Sequence, residues 1–129
     1  MTAPPSFLAA SLSVAAGGAV GAWLRFAAGR MIGGHAFPVA TLTINVLGSV
    51  AMGLLAGWLA RHGEGGEQWR LLLGVGLLGG FTTFSAFSLE IVMLAQRGAV
   101  GQAALYIALS LAGGIGGLLL GLALSRGIA

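Results

Sequence analysis

LGGFTTFSAFSLE, residues 78–90, lies inside a long apolar run, and its polar content sets it apart from the rest of that run. Two glycines, two threonines, two serines and three phenylalanines at every third position have no use in a helix that only meets lipid. Gly79 and Gly80 followed by Thr82 and Thr83 predict an interruption of the helix at mid-membrane, with backbone carbonyls and amides set free. Such a break survives at membrane depth only where protein or a cavity covers it. Freed carbonyls facing one another across a dimer axis are hard oxygen ligands and suit a small hard cation, Na+, better than a soft transition metal. A glycine kink healed by threonine hydroxyls is the other reading. Beyond the break, Phe84 and Phe87 share one helix face, with Ser85 and Ser88 on the adjoining one. Phenylalanine edges carry the positive end of the ring quadrupole, so two rings turned edge-on suit the path of an anion; aromatic contact with lipid or core is the bland alternative.

The composition around this stretch is that of an integral membrane protein: 129 residues, 57% hydrophobic, 7% charged, with 24 glycines. A helix needs about 20 apolar residues to cross a hydrocarbon layer, so the chain accommodates four crossings and little else. The expected spans are 6–31, 38–60, 69–94 and 98–125, forming one transmembrane domain over 1–129. Met1 to Ser6 carries no positive charge ahead of the first apolar run, so that run reads as a retained helix and not a secretory signal. There is no cysteine, and both histidines, His35 and His62, lie in polar connections, which argues against thiol and metal-dependent catalysis. The arginines stand singly along the chain, leaving no electrostatic footprint for nucleic acid. GVGLLG at 74–79 matches a dinucleotide-binding pattern literally but sits inside an apolar span, where it reads as packing.

Small residues recur four apart at Gly17 and Gly21, Gly53 and Gly57, Gly76 and Gly80, and Gly113, Gly117 and Gly121, the spacing that lets helices approach closely in lipid. The charges give no preferred orientation. Four crossings place Arg61, Arg70 and Arg126 on one side and Arg25, Arg30 and Arg97 on the other. A chain without bias inserts both ways, and four thin, glycine-rich helices enclose too little volume for a pore, so an antiparallel homodimer is expected. The alternative is that partners or lipids fix one orientation.

Asn45 lies mid-span, where its amide either bonds a neighbouring helix or offers its NH2 to an anion, with Thr41 and Thr43 adding hydroxyls nearby. Glu90 is the one acid within an apolar span and, with Arg25, has two readings. Glu90 serves proton or cation coupling, or else reaches the interface or pairs with an arginine. Arg25 extends toward the headgroups, or caps carbonyls or pairs with Glu90. A structural role is expected for both. Tyr106 and Ser110, one turn apart, are the polar pair within the fourth span and either extend a hydroxyl track or bond between helices.

GGAVGAWLRF at 17–26, TLTINVLGS at 41–49 and GGFTTFSAFSLE at 79–90, in this order and across four spans, resemble the CrcB/Fluc family of fluoride channels over nearly the whole chain. The resemblance implies an all-α membrane protein, an antiparallel dual-topology homodimer with two pores, in the cell (inner or plasma) membrane. It implies that Asn45 is the pore asparagine and that Phe84 and Phe87 flank the fluoride path. Gly79 and Thr82 then supply the backbone carbonyls for a structural Na+, Tyr106 and Ser110 lie near the pore, and Arg25 lies near its vestibule. The family pattern reads TTFSTFS where this chain has Ala86, so one hydroxyl is missing from the track.

Fluoride is small and strongly hydrated, and a pore for it must replace water with many modest donors such as an amide, hydroxyls and aromatic edges. HF crosses membranes neutral, dissociates in the more alkaline cytoplasm and leaves as F-, so passive export is the expected activity, with no ATP site and no enzymatic chemistry. The rivals are a small proton-coupled multidrug exporter, which needs a membrane carboxylate, and a non-conducting assembly subunit, which leaves Asn45 and the hydroxyl-aromatic face without purpose.

Overall fold

A computed structural model of the chain describes residues 3–63 and 65–127; Glu64, in the polar connection between the second and third spans, lies outside them. The described residues form four helical spans, each long and apolar enough to cross a membrane: Phe7–Ile32, Val39–Arg61, Gly66–Gln96 and Val100–Gly127. The first, second and fourth are continuous helices, α1 (Phe7–Ile32), α2 (Val39–Arg61) and α6 (Val100–Gly127). The third is composite: a helical turn α3 (Gly66–Trp69), a π-helical segment Arg70–Leu78, a short α4 (Gly79–Phe81), two extended residues, and α5 (Phe84–Gln96).

Local chemistry sets the ends. Ser6 accepts the Ala9 amide at 3.3 Å and so caps α1. Gly33, with φ 79°, closes its other end in a region that favours glycine, and Gly98, φ 78°, does the same in the α5–α6 turn. The third span starts at Gly66, three residues before the expected Trp69, because Arg70 forms a two-pronged pair with Glu67 at 2.8 Å on each prong and so extends its first turn.

The glycine rows pair off helix with helix. A Cβ on Gly17 or Gly21 would fall on the Leu72 or Leu77 carbonyl oxygen, and one on Gly76 or Gly80 would lie 2.9 Å from the Val14 and 2.6 Å from the Gly18 carbonyl. α1 therefore packs backbone to backbone on the first half of the third span. In the same way, a Cβ on Gly53 would strike the Leu118 carbonyl, and one on Gly121 the Val50 carbonyl, joining α2 to α6. Residue numbers rise together across both contacts, so each is a parallel pair. The π-helical segment, in which the Gly79 amide reaches back to the Gly74 carbonyl, lies where the α1 and third-span backbones come closest.

Buried hydrophobic side chains are few: Ile44, Leu78, Phe87, Leu94, Ala103 and Tyr106. Four of them, Phe87, Leu94, Ala103 and Tyr106, form one cluster between α5 and α6. Large apolar side chains on α1 and α6 face outward, from Leu12, Trp23 and Phe26 to Ile115 and Leu119, an inversion that suits lipid or another helix and not water.

Candidate functional site

The third span is interrupted at Thr82 (φ −81°, ψ 157°) and Thr83 (φ −148°, ψ 121°), both extended. Before this point the span packs on α1; after it, α5 swings across to α6. The Thr82 amide and hydroxyl both donate to the Leu78 carbonyl, at 3.0 and 2.9 Å, ending the first half. Thr83 caps the second half, its hydroxyl oxygen accepting the Ala86 amide at 3.1 Å.

Asn45 plugs the break. Its Nδ2 donates to the Thr83 carbonyl at 2.9 Å, and its Oδ1 accepts the Thr83 amide at 2.8 Å, so one side chain satisfies both backbone groups that the interruption would leave bare. The backbone amide must donate to an oxygen, which fixes the orientation of the Asn45 amide and leaves one Nδ2 hydrogen without a partner among the described residues. Asn45 thus does what its structural reading asks and keeps a donor for the other one.

These bonds have a further effect on the backbone. In an unbroken α-helix the Thr83 amide would donate to the Gly79 carbonyl and the Ala86 amide to the Thr82 carbonyl. Both amides are engaged elsewhere, by Asn45 and by the Thr83 hydroxyl, so Gly79 and Thr82 lose their helical donors. These are the two residues whose carbonyls the family resemblance, and not the spacing, assigns to a cation.

Beyond the break the aromatic residues form a row. Phe84 and Phe87 have ring centroids 5.8 Å apart at 52°, and Phe87 meets Tyr106 edge to face at 5.0 Å and 66°. Phe37 braces Tyr106 from its other side at 5.6 Å and 79°. Phe87 and Tyr106 are buried, whereas Phe84 is 79% exposed. The row ends at Glu90, whose two carboxylate oxygens accept from the Tyr106 and the Thr41 hydroxyl, each at 2.7 Å. Among the described residues Glu90 has no arginine partner. Of the readings open to Glu90, pairing with Arg25 is not the one found; two hydroxyls take the carboxylate, because α2 and α6 bring Thr41 and Tyr106 onto it.

The hydroxyls divide into engaged and spare. Ser88 donates to the Phe84 carbonyl at 2.9 Å and Ser49 to the Asn45 carbonyl at 2.8 Å, both back into their own helices. Ser85 lies 3.3 Å from the Thr83 hydroxyl. Among the described residues the buried Ser110 hydroxyl, one turn from Tyr106 on α6, has no partner and so holds an unspent donor.

Two grooves flank Thr83. One, of about 280 Å³, is lined by Asn45, Gly48, Ser49, Thr82, Thr83 and Phe84 among others. The other, of about 270 Å³, holds Arg25, Thr41, Thr83 and Ala86. Ala86 therefore faces the arginine side of the break, and the hydroxyl missing there is missing from that groove. Sequence reasoning missed the two-sided role of Asn45, the π-helical segment and the hydroxyl cradle of Glu90. A lone mid-span amide beside a predicted break was the available signal for the first.

The family described as "CrcB-like protein, Camphor Resistance (CrcB)" matches residues 12–122. A protein of Novosphingobium aromaticivorans named "Fluoride-specific ion channel FluC" is 58% identical over 127 residues, 95% of this chain and 100% of its own length. Relatives of the same name from Erythrobacter litoralis and Rhodospirillum centenum are each 52% identical, over 97% and 89% of this chain and 96% and 94% of their own lengths.

Proposed function

Starting from the fact that the chain belongs to the CrcB family, we propose that it is a fluoride-selective channel that exports F- passively from the cytoplasm and is not an enzyme. The observation that carries this reading is the row beginning at the Asn45-plugged break and running through Phe84, Phe87 and Tyr106 to the Glu90 carboxylate. Its rings, hydroxyls and amide offer an anion several weak partners, which lets an ion leave as readily as it arrives. The spare Asn45 hydrogen and the Ser110 hydroxyl are donors that can replace water around a small anion, and the ring edges supply positive partial charge between them. At the far end an anion competes with Glu90 for the Thr41 and Tyr106 hydroxyls.

The working unit is an antiparallel homodimer of this single transmembrane domain, in the inner or plasma membrane, with two pores. Two features support this. The arginines stand three against three across the bundle, and the groove holding Asn45, Ser49 and Thr82 opens on the flank of a single chain, where lipid cannot satisfy polar groups. A second copy over that groove would cover the exposed Phe84 as well. The Gly79 and Thr82 carbonyls, freed of their helical donors, fit the demands of a structural Na+ contributed to by both copies. Such an ion would tie the two breaks together and take no part in conduction.

The chain has no cysteine, so single cysteines placed at either end report orientation without background. Equal labelling from both faces of sealed membranes is expected; labelling from one face only contradicts dual topology. Expression should restore growth in fluoride to bacteria that lack their own exporter, and absence of rescue at full expression would contradict the channel. The multidrug reading is tested by Glu90→Gln. A channel keeps passing fluoride down its gradient in that variant, even at an altered rate, and flux is indifferent to an imposed proton gradient, whereas a proton-coupled carrier loses transport altogether.

A further inference from the structure

A charged contact joins two connections at one end of the bundle. Arg97, in the turn between α5 and α6, donates from one guanidinium nitrogen to the Ala36 carbonyl in the α1–α2 connection at 3.2 Å. A guanidinium carries five N–H donors in a fixed fork, so most of its donors and its whole charge remain. Beneath it lies a pocket of about 230 Å³ whose lining includes His35, Phe37, Glu90, Leu94 and Arg97. Glu90 is the carboxylate that ends the aromatic row, and Phe37 is the ring that braces Tyr106. The pocket therefore extends from the Glu90 end of the row to the loops, with the half-buried Glu90 and the exposed Arg97 both in its lining.

A carboxylate in that position repels an arriving anion, and a channel for anions needs an opposing charge at the same mouth. The titratable groups lining the pocket are His35, Glu90 and Arg97; the His35 ring nitrogen is turned to the Gly33 carbonyl at 3.2 Å. Arg30, at the end of α1, lies over the Phe26 ring at 5.8 Å and does not line the pocket. We propose that Arg97 offsets Glu90 at this mouth and raises the local anion concentration there, an electrostatic role in admitting and releasing the conducted ion. Its bond to Ala36 holds the guanidinium in place. The proposal rests on the channel reading and adds a residue that the sequence motifs do not mark.

The test is fluoride efflux from liposomes, followed with a fluoride electrode, for wild type, Arg97→Gln and Arg97→Lys, at low ionic strength and in a high concentration of an impermeant salt. Gln keeps a donor for Ala36 and loses the charge; Lys keeps the charge and loses the fork. Arg97→Gln should lower flux about five-fold at low ionic strength and come within about two-fold of wild type in high salt, because salt screens an exposed charge. Arg97→Lys should stay within about two-fold throughout. Wild-type flux in Arg97→Gln at low ionic strength overturns the proposal alone. So does an equal loss in both variants that salt does not change, since that assigns Arg97 to bracing the loop. A wild type that passes no fluoride overturns the channel reading first, and the role of Arg97 with it.

Discussion

The two halves of the third span are built on opposite plans. From Arg70 to Phe81 it lies against α1 with backbone on backbone, and Gly17, Gly21, Gly76 and Gly80 leave no room for a side chain between them. From Phe84 to Gln96 it stands away from α1 across a groove that holds Arg25, Thr41 and Ala86, and packs its rings against α6 instead. The first half has contacts too close to admit an ion. The second has partly open grooves, spare donors and a carboxylate held by hydroxyls. Rigidity on one side of Thr82 and Thr83 is what allows looseness on the other, because the break is held by Asn45 and by the Leu78 carbonyl and does not depend on packing in the second half.

The largest effect should come from breaking the first half. Gly17→Val places carbon on the Leu72 carbonyl oxygen, and neither backbone can yield without parting the helices. Overpacking of this kind costs about 1–3 kcal/mol or more, so the variant should lose folded protein, seen as aggregation on size exclusion in detergent. A monodisperse Gly17→Val with normal thermal unfolding would break the claim that this contact is rigid.

Next is the joint itself. Asn45→Ala leaves the Thr83 amide and carbonyl unpaired, and at about 1–3 kcal/mol for each buried group the break should become unstable as well as non-conducting. Thermal unfolding and flux should fall together. If stability is kept and only flux is lost, the plug is dispensable and Asn45 serves the ion alone.

Substitutions in the second half should separate flux from stability. Phe84 is largely exposed in the single chain, so Phe84→Leu should change the stability of the chain by less than about 0.5 kcal/mol while reducing flux at least about ten-fold. Phe87, buried against Tyr106, should lose both when cut to alanine, by about 3–5 kcal/mol in stability. The smallest effect belongs to Ala86→Thr, which adds a hydroxyl to the groove of Thr41, Thr83 and Arg25 and should alter flux by less than about three-fold with folding intact.

The first half was the more legible in sequence. Glycines four apart mark a face on each helix, and the face is a local property, so the rows at 17 and 21 and at 76 and 80 could be read one helix at a time. That these two rows meet, and in parallel, is not local. Nor is the π-helical segment, since RLLLGVGLL fits a wider turn as well as an ordinary one. The break was visible in GGFTT because its cause lies in those five residues. Its repair was not, because the Asn45 side chain and Thr83 are 38 residues apart. Glu90 carries the same lesson: its partners, Thr41 and Tyr106, stand 49 and 16 residues away, and no spacing rule would prefer them to an arginine.

The central claim is that the row after the break conducts fluoride and discriminates against larger anions. It is tested most directly by reconstituting purified protein in liposomes and recording fluoride and chloride efflux side by side. The account predicts rapid fluoride efflux with chloride retained, and fluoride efflux lost in Phe84→Leu. Chloride leaving as readily as fluoride, or unchanged flux in that variant, would contradict it.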